Sequence, residues 1–315
     1  MIILAIALLL GQTLRIALPL ALAATGGAVC ERSGVVNVAL EGMLLLGAFG
    51  YALGAHAAAS ALGVTGQDAT LAVHVACASA GLLGALVFAV GLAAIHALAT
   101  IVFRSDQVVA GVAANLLAAG LSKFLLKVAF GSSSNSPWVF GLPGLPALSE
   151  IPALGSAVGA PLFWVAVALV ALAHVAIFRT VWGLRVRAAG EHPAALQSAG
   201  VSVARVRAAA VLASGALAGL GGAWLCADQH GFTEGMSAGR GYIAIAAVIF
   251  GRWRPLSATI ACVVFAFAEA LQIQLQGTWV PLPTQLLQVL PHLIALAVLA
   301  GVTGASRPPA ALGRD

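Results

Sequence analysis

The sequence predicts an all-α, polytopic integral membrane protein, and three observations carry that reading. Of its 315 residues, 61% are hydrophobic and only 8% are charged, where a soluble domain carries about 25% charged residues. The mean hydropathy is +1.05, so polar surface is too scarce to coat a globule of this size. The apolar residues also fall into runs of roughly 20 or more, the length that crosses about 30 Å of hydrocarbon. Glycine, at 36 residues, suits helices that pack backbone to backbone in lipid and break where a cavity is needed. Residues 1–315 read as one transmembrane domain.

The first apolar run covers Ile2 to Ala28. No Lys or Arg precedes it, so it lacks the charged start of a cleaved signal peptide and reads as a retained span. The second covers Gly34 to Ala57. The third, Ala69 to Phe103, is long enough for one tilted helix or for a helix broken near Gly91. The fourth runs from Gln107 to Phe130. Between 131 and 159, a Ser132-Ser133-Ser134-Asn135-Ser136-Pro137 stretch and further prolines forbid a long helix. The fifth run covers Pro161 to Phe178, a hydrophilic stretch occupies 179–207, and the sixth run covers Ala208 to Ala227. A seventh, Tyr242 to Phe250, crosses only if its helix begins near Met236. The eighth and ninth cover Pro255 to Gln276 and Thr284 to Val302.

Charge placement tests this count of about nine, within a range of 8–10. The net charge of +5 sits in short breaks between apolar runs, which is a topology signal and argues against a nucleic-acid partner. With 179–207 on the cytoplasmic side and every run crossing, eleven of the fifteen Lys and Arg residues gather there; the exceptions are Arg15, Lys123, Lys127 and Arg240. That bias predicts an outer N-terminus, a cytoplasmic C-terminus, a periplasmic loop at 131–159 and a cytoplasmic loop at 179–207. A broken third run would give ten crossings and reverse the N-terminus.

No enzyme signature is present: there is no GxSxG, no HExxH and no Gly-rich phosphate cradle before Lys-Ser/Thr. Cys30, Cys77, Cys226 and Cys262 lie in or beside apolar runs without CxxC spacing and read as packing residues. The histidines make no i, i+4 pair, so neither a metal nor another cofactor is expected. ATP-driven transport would therefore borrow its ATPase from a partner.

Polar residues inside the apolar runs are the candidates for function, since lipid offers them no partner. In Cys30 to Ala48, CERSGVVNVALEGMLLLGA, Asn37 and Glu41 stand one helical turn apart and are expected to share a face. Arg15, deep in the first run, needs a counter-charge, for which Glu41 or Glu269 is available. Glu269 aligns with Gln272 and Gln276 in a stripe that serves either helix packing or a solute path. Asp106, Gln107 and Asn115 suit caps and anchors. Asp228 to Arg254 repeats the design of the opening stretch: polar residues and glycines, including Arg240 and Gly241, lead into a short apolar piece. Two such discontinuous segments are what an inverted repeat with a midplane site would produce.

On the hydrophilic side, Gly190-Glu191-His192-Pro193 reads as a helix start with acid near the N-terminal dipole. An Ala-rich helix through Ala195 and Ala199 follows and stops at Gly200 before Val201. A small smooth helix flanked by arginines is either a docking element or an ordinary connection.

Four stretches, in order along nearly the whole chain, resemble one known family: ERSGVVNVALEGMLLLGAFGYALGA, FRSDQVVAGVAANLLA, GEHPAALQSAGVSVARVR and FTEGMSAGRGYIAIAAVIFGRWRPLSA. They look like permease subunits of ABC importers in the branched-chain amino acid and simple-sugar superfamily, nearest its nucleoside and simple-sugar branch. The resemblance implies a multi-pass subunit of the bacterial inner membrane that moves a nucleoside or related sugar by alternating access. It also implies two ATP-binding subunits, a second related permease and a periplasmic or lipid-anchored binding protein. By the same resemblance, Gly190 to Val201 couples to the ATPase, and the path runs past Asn37, Glu41 and the Gly239 to Gly251 segment. His292 departs from the family pattern, where an aromatic Tyr is expected after Pro291. The residues alone leave a second class open, an ion-coupled secondary transporter relaying protons or sodium through Arg15, Glu41 and Glu269. A non-transporting scaffold is a third, weaker reading.

Overall fold

A computed structural model describes residues 2–64, 69–276, 293 and 307–313. The chain runs through α1 (Ile2–Arg32), α2 (Leu40–Ala61), α3 (Leu71–Ala97) with a π-helical turn at Leu98–Val102, and α4 (Gln107–Phe130). Two single turns follow, α5 (Pro146–Ser149) and α6 (Gly155–Val158), and then α7 (Pro161–Arg179), α8 (Val181–Glu191) and α9 (Pro193–Ser198). The series ends with α10 (Val203–Gln229), α11 (Arg240–Phe250) and α12 (Pro255–Gln276).

Among the described residues, seven helices are long and apolar enough to cross a membrane: α1, α2, α3, α4, α7, α10 and α12. Their ends follow local chemistry. Asp106 Oδ1 caps α4 by accepting from the Val108 and Val109 amides, both at 2.9 Å, and Gly131 ends it in the left-handed region at φ 70°. Thr180 and Ser202 cap α8 and α10.

α2 and α10 form the centre of the bundle, each 67% buried over its apolar window, against 28% for α4 and 22% for α7. Close packing at the centre depends on missing side chains. A Cβ on Gly47 would run into the Gly219 backbone, and a Cβ on Gly84 would run into the Gly50 carbonyl. That is the small-residue contact expected where no hydrophobic drive separates helix from lipid.

The seventh predicted run crosses in an unusual way. Phe232 exchanges backbone and side-chain hydrogen bonds with Ser136, Asn135 bridges Thr233, and twenty residues later the Trp253 carbonyl accepts from Arg32 Nε at 2.9 Å. Residues 232–253 therefore pass from one end of the bundle to the other. Only α11, eleven residues and so about 16 Å long, is helical. Apart from Leu293, the ninth predicted run, Thr284 to Val302, lies outside the described residues, His292 included. The described crossings are seven full helices and one half-helix.

Three expectations are corrected, and one open alternative is decided. The second span is not one helix from Gly34: α2 begins at Leu40, and 35–39 is irregular, so Asn37 and Glu41 do not share a helical face. Of the two alternatives for the third run, the structure has the unbroken helix: Gly91 lies within α3. Glu191 is the last residue of α8 and does not stand at the N-terminus of α9. Arg15 pairs with neither Glu41 nor Glu269.

The partner of Arg15 is Asp228, at the end of α10, held by bonds of 2.8 Å from Nη2 to each oxygen and 3.1 Å from Nε. The Arg15 carbonyl meanwhile accepts from Trp224 Nε1 at 3.1 Å. The Arg15 side chain is 37% exposed, so solvent discounts the pair to about 1 kcal/mol. Arg15→Leu is expected to destabilise the purified chain, and the exchanged pair Arg15→Asp with Asp228→Arg to recover most of the loss. A thermal-unfolding double-mutant cycle checks this.

Candidate functional site

The two discontinuities foreseen in the sequence meet. In the first, residues 35–39 have left the helical ladder, and polar side chains from three other helices hold their backbone groups. Gln107 Oε1 accepts from Val36 N at 2.6 Å, His96 Nε2 donates to Val36 O at 3.3 Å, and Asn115 Nδ2 donates to Val38 O at 2.9 Å. Asn115 Oδ1 accepts from Gly42 N at 2.8 Å, so one side chain serves both sides of the break. Cys30 Sγ donates to Val35 O at 3.3 Å. A break at bilayer depth persists only when each freed group finds such a partner.

Asn37 is fully buried. Its Nδ2 donates to Ser214 Oγ at 2.9 Å, and its Oδ1 has no hydrogen-bond partner among the described residues. The break also ties to the far end of the α11 segment. Glu31, 3% exposed, accepts from Trp253 Nε1 at 2.6 Å and from the Asn37 backbone amide.

The second discontinuity ends in the left-handed Gly239, φ 82°, after which α11 starts. Glu41 caps that start from outside. Its Oε1 accepts from Gly239 N at 2.8 Å and its Oε2 from Gly241 N at 2.7 Å. A carboxylate on the positive end of a helix is a charge-assisted cap. The approach is so close that any side chain at Gly241 would collide with the Glu41 backbone.

Around this joint, Arg240 Nη2 donates to Glu269 Oε1 at 3.0 Å. Tyr242, 49% exposed, shares its hydroxyl with Asn115 Nδ2 at 3.1 Å. Gln272 lies one turn beyond Glu269 on α12, partly exposed. Lys123 and Glu234 form an ion pair of 2.8 Å.

At the arginine-rich end, α9 starts with Pro193 in its first turn and is halted by Gly200 at φ 76°. Leu196 alone turns inward, leaving Ala195, Ala199 and Gly200 exposed with Val201 at the rim. Gly190 is buried: a Cβ there would strike the Arg32 carbonyl, and Gly34 N lies beside it. The C-terminal segment joins the same place. Ala311 N donates to Gly190 O at 2.8 Å, Ala310 N to Glu191 Oε2 at 3.2 Å and Gly313 N to Gly34 O at 3.1 Å. Arg207 Nε donates to Ser33 O at 3.3 Å.

The structure thus brings Glu41, Gly241, Arg240 and Glu269 together, sets Asn37 apart in the core beside α10, and links Gly190 and Glu191 to the first break. Sequence reasoning passed over His96, Glu31 and the C-terminal segment, and took Gln107 and Asn115 for caps or anchors. The signal for His96, Gln107 and Asn115 is that each is a polar residue in an apolar run.

Two broken segments bound to each other inside a helical bundle are the framework of a transporter, and the comparisons agree. Residues 9–300 match the family described as branched-chain amino acid transport system / permease component. The chain belongs to that permease family. It is a multi-pass membrane transport component and not an enzyme, and the family implies ATP-binding and solute-binding partners. Among similar permeases, the guanosine ABC transporter permease protein NupQ of Bacillus subtilis is 36% identical, over 98% of this chain and 96% of its own. The nucleoside ABC transporter permease protein NupC of Lactococcus lactis is 34% identical, over 94% and 92%. A solved ABC transporter described as metal-chelate type, in an inward-facing conformation, matches with a TM-score of 0.51 at 13% identity, over 93% of this chain and 84% of that one. It supports the permease fold alone.

Proposed function

We propose that this permease is the membrane subunit of an ATP-driven importer for nucleosides, working in the bacterial inner membrane. The observation that carries the reading is the Glu41 joint: it binds two discontinuous segments to each other beside polar groups that are open to the outside of the chain. The guanosine and nucleoside permeases at 34–36% identity support the substrate class.

The path follows the exposed side of α11 and α12. Tyr242, Arg240, Glu269 and Gln272 supply hydroxyl, guanidinium, carboxylate and amide groups that hydrogen-bond ribose and base edges. Asn37, Glu41 and Gly241 hold that lining in place. Part-exposed polar groups at this depth are too costly against lipid. The face they form is therefore completed by a second, related permease, with two ATP-binding subunits below and a solute-binding protein above. The charge bias sets the arginine-rich end, 179–207, in the cytoplasm and 131–159 outside.

At the cytoplasmic end, Ala195, Ala199, Gly200 and Val201 dock on the ATPase. A cleft of about 390 Å³ lined by Arg185, Gly200, Val201 and Arg205 adjoins them. Gly190 and Glu191 carry the movement inward. The ion-coupled alternative needs titrating groups free to exchange a proton or ion. Arg15, Glu41 and Glu269 are instead held by Asp228, by two backbone amides and by Arg240.

Reconstitution with the ATP-binding and solute-binding partners tests the proposal. Labelled guanosine uptake is expected to stop on ATP depletion and to continue in the presence of an uncoupler. Uptake that collapses with the uncoupler while ATP is present would reverse the assignment.

A further inference from the structure

We propose that the α1/α7/α12 face binds an anionic phospholipid, with its phosphate among Arg32, Arg187 and Arg254 and an acyl chain in the groove that leads to them. The guanidinium carbons of these three residues stand 5.8, 5.6 and 5.9 Å from the centre of one ring, that of Phe178. They come from the end of α1, from α8 and from the turn before α12. A ring face attracts one cation by about 1 kcal/mol, which does not offset the mutual repulsion of three.

Among the described residues, the acid that acts on Arg32 is Glu191, which also accepts from Ala310 N. One carboxylate against three cations leaves an excess of positive charge. Arg32 spends Nε and Nη2 on the Trp253 and Arg252 carbonyls. Arg187 Nε is buried without a hydrogen-bond partner among the described residues.

A second, separate observation identifies the anion. An apolar groove of about 270 Å³ runs between α1, α7 and α12, with Leu18, Ala21, Val170, Ala171, Leu256 and Val263 in its walls. Its line leads to the arginines. On α7, Val170 is followed at helical spacing by His174 and then Phe178, whose rings are 4.8 Å apart. On α1, Ala21 is followed on one face by Thr25 and, two turns later, Arg32. On the third wall, Leu256 is two residues from Arg254.

The exposed Val181, Leu184 and Leu256 mark where the hydrocarbon boundary meets the cluster. A phosphodiester accepts bidentate bonds from guanidinium groups, and only a lipid brings a chain for the groove as well. Basic pockets between spans are where anionic headgroups are held.

The test is native mass spectrometry of the detergent-purified full chain with phosphatidylglycerol, phosphatidylcholine and, separately, inorganic phosphate. Wild-type protein is expected to retain phosphatidylglycerol over phosphatidylcholine. Arg187→Gln with Arg254→Gln should cut that preference about tenfold or more. The exposed single change Arg254→Gln gives a smaller loss in the same direction if the double variant is poorly folded. Ala171→Trp, which fills the groove, should lower retention of both lipids while leaving the arginines intact.

Equal retention of the two lipids by the wild type would overturn the proposal. Displacement of phosphatidylglycerol by inorganic phosphate, with Ala171→Trp silent, would assign a soluble phosphate instead. Variants that keep the lipid but lose a co-purifying ATP-binding subunit would assign the cluster to a protein contact.

Discussion

Glu41→Ala is expected to bring solute uptake to background and to lower the thermal stability of the purified chain. The carboxylate takes two charge-assisted hydrogen bonds from the first amides of α11, each worth about 1.5–3 kcal/mol. Without it, the half-helix loses its cap and its link to α2. Glu41→Gln keeps one acceptor oxygen but presents an amide donor to the second N–H, so an intermediate loss is expected for it. Gly241→Val should reproduce the alanine phenotype, because its side chain would drive the Glu41 backbone from α11. The measurement pairs uptake with thermal unfolding. If Glu41 were a direct solute ligand, Glu41→Gln would raise KM with no change in unfolding temperature, and that result would remove the joint from the mechanism.

How far the sequence revealed this joint depends on how local each feature is. Composition and run length placed α4, α7 and α12 to within a residue or so, because spans of that kind are set by their own hydropathy. α9 was legible for the same reason: Pro193 and Gly200 punctuate the chain where they stand. The break at 35–39 was recognised as unusual but drawn as helix. Its amides and carbonyls are held by Gln107 and Asn115 from more than 70 residues away and by His96, and periodicity within a window cannot register such distant compensation. Arg15 was rightly read as needing a counter-charge. Asp228, 213 residues away, falls just beyond the sixth run, which the sequence ends at Ala227, whereas α10 runs through it to Gln229. The meeting of the two breaks was suggested by their similar design, but that Glu41 would be the bond between them required the fold.

The second large effect is expected at Gly190. On the proposed docking role of α9, its movement would reach the bundle through α8, whose last turn lies on the Arg32 carbonyl and beside Gly34 N. Gly34 opens the first break in the left-handed region at φ 95°, seven residues before Glu41. The C-terminal segment straps the two, with Ala311 bonded to Gly190 and Gly313 to Gly34. In that proposed role, a push on α9 would be delivered to the break and not dissipated along a loop. Gly190→Val would pry α8 from α1 while leaving the exposed face of α9 unaltered. The expected result is a complex that still assembles with its ATP-binding subunit and still hydrolyses ATP, with uptake at least about tenfold lower, since that factor costs only about 1.4 kcal/mol of lost coupling. Truncation after Arg307 removes the strap but keeps the Gly190 contact, so its loss of uptake should be partial. Ala195→Trp combined with Gly200→Trp, both on the exposed face, alters the docking side instead and should lower ATPase co-purification. Normal uptake with Gly190→Val would show that force enters the bundle by another route.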